Sequence, residues 1–389
     1  MGSTPSSARR SRRWLRRSRQ PGEVQRLAAE KSTPSAAVSV LSPTVRPAAC
    51  LALAACLAVG AASVEGRRPT DNAVQLVAVG DILLDRGVGR RISAHGPGYP
   101  LTAAAQSLRS ADIAFGNLEC PVSDRGKPAP KPFSFRASRD AAAGLVGSGF
   151  DVLSLANNHT LDCGRSGLTD TMAFLTANGV AWCGAGLSAD DATAPRVITR
   201  HGTRVAFTGF CDIVQDASYP GENLPSVARA SRQAVASAVQ RARRVADVVV
   251  VSFHWGIEYA PRPTERQREL AACAARAGAD LVIGHHPHVL QGLQWRPRTT
   301  WHGTLVAYSL GNFVFDPLRP AAGRTVVLKV RLGREGVREA NLTPWVIDDC
   351  RPRPAPPDIG AAMLARIGNL SRELATSVVK GRFSPPCAR

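Results

Sequence analysis

The sequence predicts an α/β fold with buried, largely parallel strands, and two observations carry that prediction. From residue 73 onward, short β-rich runs alternate with helical stretches, the order expected of a sheet with helices packed on its faces. Several of the runs also end on polar residues able to bind a ligand. Hydrophobic residues are 44% of the 389, enough for a large core in one large domain or two. That composition, with only 9 cysteines, excludes a wholly disordered chain, a collagen and a small disulfide scaffold.

In chain order, the candidate strands are Val74 to Val79, Asp112 to Phe115, Val152 to Leu155, Arg204 to Phe210, Val248 to Phe253, Leu281 to Ile283, Leu305 to Ser309 and Thr325 to Val330. Helical patterns fall at Ala137 to Val146, Gly167 to Ala177, Ala228 to Val245 and Thr264 to Ala277. A Pro-rich stretch, Arg351 to Pro357, precedes a last helix, roughly Ile359 to Ala375, which either packs back or trails. One domain, residues 72–348, accounts for every motif, and 349–389 reads as a Pro-rich link and C-terminal helix. No tandem repeat is apparent.

The first 47 residues differ from the rest. They are rich in Arg, Ser and Pro, lack apolar periodicity and read as a disordered basic leader. Ala48 to Ala62 then runs without a charge, which suits a signal-peptide core followed by a cleavage region up to residue 66, and is short for a spanning helix. Ser11-Arg12-Arg13-Trp14-Leu15 resembles a twin-arginine signal and Leu53-Ala54-Ala55-Cys56 a lipoprotein box; a true start downstream is the third reading. All three leave an exported chain, either membrane-associated, lipid-anchored or released.

The formal net charge is +19. Residues 1–70 hold 12 Lys+Arg and 3 Asp+Glu, so +9 belongs to the leader and +10 to the remainder. Nucleic-acid binding is not expected: no helix-turn-helix, zinc finger or RNP-like motif is present, and aromatic residues are 5%. The +10 suits an acidic polymer or an anionic envelope. Seven cysteines follow the leader, an odd number with no CxxC pair; a Cys350 to Cys387 disulfide is one of several pairings open outside the cytoplasm.

Five strands deliver polar groups to one edge of the sheet, where open α/β sheets bind ligands. They end on Asp81, on Asn117 and Glu119, on Asn157-Asn158-His159, on His254, and on His285-His286-Pro287-His288. Imidazoles, carboxylates and an amide together form a borderline to hard ligand set, fit for one or two divalent ions of Zn, Mn or Fe. Any single histidine here has a bland reading as a capped or solvated residue; five motifs at five strand ends favour a metal site.

The motifs Gly80-Asp81, Gly116-Asn117-Leu118-Glu119, Asn157-Asn158-His159, His254-Trp255-Gly256-Ile257-Glu258-Tyr259, Gly284-His285-His286-Pro287-His288 and Tyr308-Ser309-Leu310-Gly311-Asn312-Phe313 resemble the CapA family of poly-gamma-glutamate capsule synthesis. The likeness runs from about Val74 to Asp316, and the family is related to the calcineurin-like metallophosphoesterases. It implies a layered α/β sandwich of the metallo-dependent phosphatase type. It also implies a ligand set of Asp81, Glu119, Asn158, His254, His286 and His288, with His159 as proton carrier. Leu83 stands where the superfamily's first motif has a His, so one metal position loses a ligand. Either Asn117 or Glu119 replaces the bridging Asp; Glu119 is preferred because a carboxylate can bridge two cations. Asn117, Asn157, His285, Glu258 and Tyr259 are the expected substrate contacts, with a solvated loop as the alternative for Glu258 and Tyr259.

Asp162 and Gly164 read equally as a helix-starting turn and as anchors behind the site. Asn312 reads as a turn residue, Arg241, Arg243 and Arg244 as an exposed helix face, and Cys120 as a packing residue rather than a nucleophile. Two functional classes follow. One is an exported metal-dependent enzyme acting on an amide, peptide or phosphate group, in the context of polyglutamate or a related envelope polymer. The other is a non-catalytic assembly or export factor that grips an acidic polymer beside membrane-bound synthase and export proteins.

Overall fold

A computed structural model describes residues 72–386 apart from 127, 214–223 and 300–301. The leader, the apolar run after it and Cys387 lie outside the described residues. No helix of the described residues is long and apolar enough to cross a membrane.

The expected α/β fold is realised as two sheets stacked face to face with helices on both outer surfaces. In the nine-stranded sheet the neighbours run Arg351–Pro354, Gly336–Asp348, Arg324–Gly333, Val74–Ile82, Ile113–Leu118, Val152–Ser154 and Ala181–Cys183, with Asn312–Val314 paired to Val74–Ile82. The six-stranded sheet runs Leu293–Pro297, Gly303–Ala307, Leu281–His285, Val248–His254, Thr203–Cys211 and Arg196–Arg200. All eight expected strands are present, each within a few residues of its expected bounds. The central strands are parallel, as expected of runs buried on both faces. Three of the four edges are not: Arg324–Gly333, Gly336–Asp348 and Arg351–Pro354 pair antiparallel, and so do both outer strands of the smaller sheet, while Ala181–Cys183 closes the larger sheet parallel.

Strand alternation sorts the core into three layers. Leu76, Ala78, Ile113 and Phe115 face Val205, Phe207, Val250 and Ile283 between the sheets. Val77 and Val79 point outward beneath the helices Arg139–Ser148 and Gly164–Ala177, through Leu145, Leu168 and Leu175. On the other side, Val249 and Val251 meet Val235, Val239 and Leu270 of the helices Arg232–Val245 and Glu265–Ala277. The first of that last pair starts four residues later than expected, because Ser231 caps it by accepting a bond from Ala234 N.

The C-terminal segment is not a link. Arg351–Pro354 extends the larger sheet as an edge strand, where prolines cost no ladder bond facing solvent. The helix Pro357–Arg372 packs back, burying Met363 and Ile367 in the inter-sheet core. Cys120, Cys163, Cys183 and Cys273 are buried thiols. Burial pushes the Cys120 thiol up, in keeping with a packing role.

Candidate metal and substrate site

Two glycines let the strand ends converge. A Cβ on Gly80 would stand 1.9 Å from Gly311 O, and one on Gly284 would stand 2.0 Å from Tyr308 O. Only a bare backbone allows those crossings. The first lets Asp81 N donate to Gly311 O at 3.1 Å, which sets the carboxylate at the sheet edge. After the second, the chain turns through His286 at φ 93 and His288 at φ 56. Left-handed backbone at two non-glycine residues is strain of a kind held in place at functional sites.

The convergence brings together two overlapping groups: Glu119, His254 and His286, and Asp81, Glu119 and His288, each with its ligand atoms all within 4.8 Å of one another. Glu119 belongs to both. Asn158 Oδ1 lies 2.8 Å from His254 Nε2 and so adjoins the first group. Leu83, two residues beyond Asp81, is fully buried in the core under the outer helices.

The electrostatics fit a divalent cation. Both Glu119 oxygens are buried and accept no hydrogen bond, and His286 Nδ1 is likewise unmatched. A desolvated carboxylate in that state is costly unless an ion or proton answers it. Burial first, and then the Asp81 charge, push the Glu119 carboxyl well above its ordinary range. Burial works against the charged form of His288, but Glu119 and Asp81 outweigh it and hold its pKa at about 9. Burial keeps His254 well below the usual histidine value and takes His286 down to about 3, so both present neutral nitrogens. Three imidazoles, two carboxylates and an amide oxygen match a zinc, manganese or iron donor set.

His159 borders a cavity of about 220 Å³ that opens over Glu119 and His288. Its Nδ1 sits 2.8 Å from Asp162 Oδ2, and the ring packs on Phe135 at 4.2 Å. Asp162 therefore does more than start a helix: its other oxygen pairs with Lys131, whose Nζ also donates to Asn158 O at 2.9 Å. Burial draws the His159 pKa below its ordinary value.

Glu258 and Tyr259 line the same cavity. Asn117, Asn157 and His285 do not. Asn117 donates to Asp81 Oδ1 at 2.9 Å, and Asn157 spends its amide on Leu118 O and Asn117 Oδ1. His285 is fully buried, with Nδ1 3.1 Å from Asp81 Oδ1 and its ring beside Phe115. Asn117 and His285 stand behind Asp81 and Asn157 behind Asn117, so the cavity lining does not include them. The alternation of the strand Leu281–His285 explains the last case, because His285 shares the inter-sheet face of Leu281 and Ile283.

Asn312 was read as a turn residue and stands instead in the site. Its Nδ2 donates to Ala322 O at 3.0 Å, leaving Oδ1 for His288 Nδ1 at 2.8 Å. Arg86 and Lys131 also border the cavity and had no sequence signal beyond their charge.

Residues 75–317 match the family model described as bacterial capsule synthesis protein PGA_cap. PGA biosynthesis protein CapA of Bacillus subtilis (strain 168) is 32% identical over 292 residues, covering 74% of this chain and 76% of that one. Capsule biosynthesis protein CapA of Bacillus anthracis is 31% identical over 287 residues, covering 72% and 69%. The solved structure of calcineurin-like phosphoesterase YfkN from Bacillus subtilis aligns with 67% of this chain and 86% of its own, at 12% identity and a TM-score of 0.37. With a family model matched across most of its length and two relatives above 30% identity, the chain belongs to the PGA_cap family, the CapA-like proteins of capsule and polyglutamate biosynthesis.

Proposed function

We propose that this protein is an exported, metal-dependent enzyme of polyglutamate or related envelope-polymer synthesis, acting on an amide, peptide or phosphate group. The observation that carries the reading is the buried, unmatched Glu119 carboxylate shared by two ligand groups. Glu119, Asn158, His254 and His286 would hold one ion. Asp81, Glu119 and His288 would hold a second less completely, for want of a ligand at Leu83. A cation bound there polarises a substrate oxygen or lowers the pKa of water toward ~7.

The chain's own residues supply the rest. Asp162 fixes the His159 ring through Nδ1, which leaves Nε2 to exchange a proton with a reacting group in the cavity. His159 is neutral near pH 7, because burial lowers its pKa, and so is ready to accept that proton. Asn117 and His285 fix the Asp81 carboxylate, and Asn312 fixes His288. A cavity of about 220 Å³ admits one repeat unit of a polymer rather than its length, so the chain of the substrate would cross the mouth. The names of the relatives support PGA and capsule synthesis as the setting; membrane-bound synthase and export proteins are the partners that this reading expects. The uncharged run Ala48 to Ala62 supports export.

A second reading, a non-catalytic polymer-binding factor, draws its support from Leu83 and from the +10 of the chain beyond the leader. Metal analysis of the purified protein separates the two. One or more tightly bound ions per chain are expected, lost together with polymer production in the His254→Ala/His286→Ala double variant. Normal polymer production by metal-free protein would sink the enzyme reading and leave the binding factor.

A further inference from the structure

Two cations line the cavity, Arg86 and Lys131, and both are already answered; a third, Arg319, stands beside it over the Tyr259 ring, next in the chain to the lining residue Leu318. Arg86 is held by Asp316 and lies against the Phe135 and Phe315 rings. Lys131 is held by Asp162. Arg319 is different. It is exposed, its guanidinium lies 4.3 Å from the centroid of the Tyr259 ring, and no carboxylate among the described residues lies within ion-pairing distance of it. Glu258, next to Tyr259, is exposed and makes no ion pair with it either.

The shelf under Arg319 is fixed to the ligand cluster. Tyr259 has φ 62, a conformation a tyrosine keeps only when its surroundings impose it. Its N–H donates 2.7 Å to Pro287 O, between His286 and His288, and Gln291 Nε2 donates 2.9 Å to Ala260 O. The Tyr259 ring lies 6.2 Å from that of His288. Arg319 is anchored in turn: Ala322 N donates to Arg319 O, and Ala322 O receives Asn312, the residue that fixes His288. A guanidinium lying over an aromatic face keeps its N–H edge directed outward, in the fork that matches a carboxylate.

We infer that Arg319, seated on Tyr259, is the substrate-reading residue of this site and pairs with a carboxylate one or two repeat units away from the reacting group. This rests on the acidic-polymer reading above and adds to it the position at which the acid is recognised. The interaction gives the mouth a polarity along the polymer: neutral chains fit the cavity but lose this anchor, and acidic chains bind in one register.

The test measures binding of a fluorescent γ-linked glutamate oligomer to the full-length, metal-loaded protein, beside the same oligomer with its free carboxylates converted to amides. In Arg319→Ala, affinity for the acidic oligomer is expected to fall about ten- to hundredfold, with metal content and melting temperature unchanged. Arg319→Lys should recover only part of it, since a point charge cannot replace the fork. The amidated oligomer should bind the parent protein weakly and lose nothing further in Arg319→Ala. Equal binding of the acidic oligomer by parent and Arg319→Ala overturns the inference and leaves the polymer reading standing. If the parent binds neither oligomer, the polymer reading fails and takes the inference with it.

Discussion

Asp280 and Glu119 are carboxylates buried to the same degree, one just before a strand and the other just after one, and the protein serves them in opposite ways. Asp280 receives Arg243 Nη1 at 2.7 Å, Arg298 Nη2 at 2.6 Å and Val249 N at 2.9 Å. Glu119 receives nothing; the nearest side-chain nitrogens are His254 Nε2 at 3.6 Å and His288 Nε2 at 3.8 Å. Burial alone therefore says little about a carboxylate. What distinguishes them is whether the fold itself supplies the donors, as around Asp280, or leaves the oxygens for something that must come from outside.

The sharpest break of this comparison is a pair of substitutions. Asp280→Ala leaves two arginines without their acid, so the chain should lose about 3 kcal/mol of stability, at the low end for a broken buried pair because both arginines can partly rehydrate. Its metal content should not change. Glu119→Gln should do the reverse: bound metal falls away, while the metal-free chain changes by no more than about 1 kcal/mol, because burial already disfavours the charged form that the amide replaces. Urea unfolding with metal analysis reads both. If Glu119→Gln destabilises the metal-free chain as much as Asp280→Ala does, the two carboxylates are alike and the site reading is lost.

A finer cut falls within the site. Asn312→Ala removes the acceptor that orients His288, and support of that kind is worth about ten- to a hundredfold in metal affinity. The loss should fall on the group of Asp81, Glu119 and His288 and spare the one with His254 and His286. A chelator titration resolving two binding steps would show only the weaker one shifting. A uniform shift of both steps would mean that Asn312 supports the loop as a whole rather than one ligand.

The same contrast between supplied and withheld partners explains what could be read from the sequence. The parallel core strands were legible because burial on both faces demands unbroken apolar runs such as Val248–Val251. Gly336–Asp348 has no unbroken apolar run, because Arg338, Glu339, Asn341 and Thr343 interrupt it and it contains Pro344, as an edge-side antiparallel strand can. The helix Arg86–His95 was hidden by Gly87 and Gly89. It forms because Asp85 caps it, and a Cβ at Gly87 would come within 2.6 Å of Asp316. The residues brought together with Glu119 were legible as polar groups at strand ends. Which of them face the cavity was not, since Asn117, Asn157 and His285 differ from their neighbours only in direction. Asn312 and Arg319 act through partners far away in sequence, and no local pattern reveals such pairs.

The smallest effect expected is on pH, and its sign follows from the withheld partners. In the metal-free fold, burial and Asp81 raise the Glu119 pKa well above its unfolded value of roughly 4.3, and the neighbouring carboxylates hold His288 at about 9 against roughly 6.5 unfolded. Each group binds a proton more tightly in the folded than in the unfolded chain, so its stabilising contribution is full below the unfolded value and is lost as pH rises through the folded one. Asp81 runs the other way, but its carboxyl is held well below the ordinary range and is ionised throughout this window. Through His288 the metal-free protein should therefore weaken between about pH 6.5 and about 9, by up to about 1.4 kcal/mol per pH unit, and the Glu119 contribution fades in the same direction. An ion takes the place of those protons, so the rise in melting temperature on adding Zn²⁺ or Mn²⁺ should grow over the same range. Melting curves with and without metal at pH 6, 7 and 8 measure it, and a metal effect that stays flat across them would mean that Glu119 and His288 are not where the ion binds.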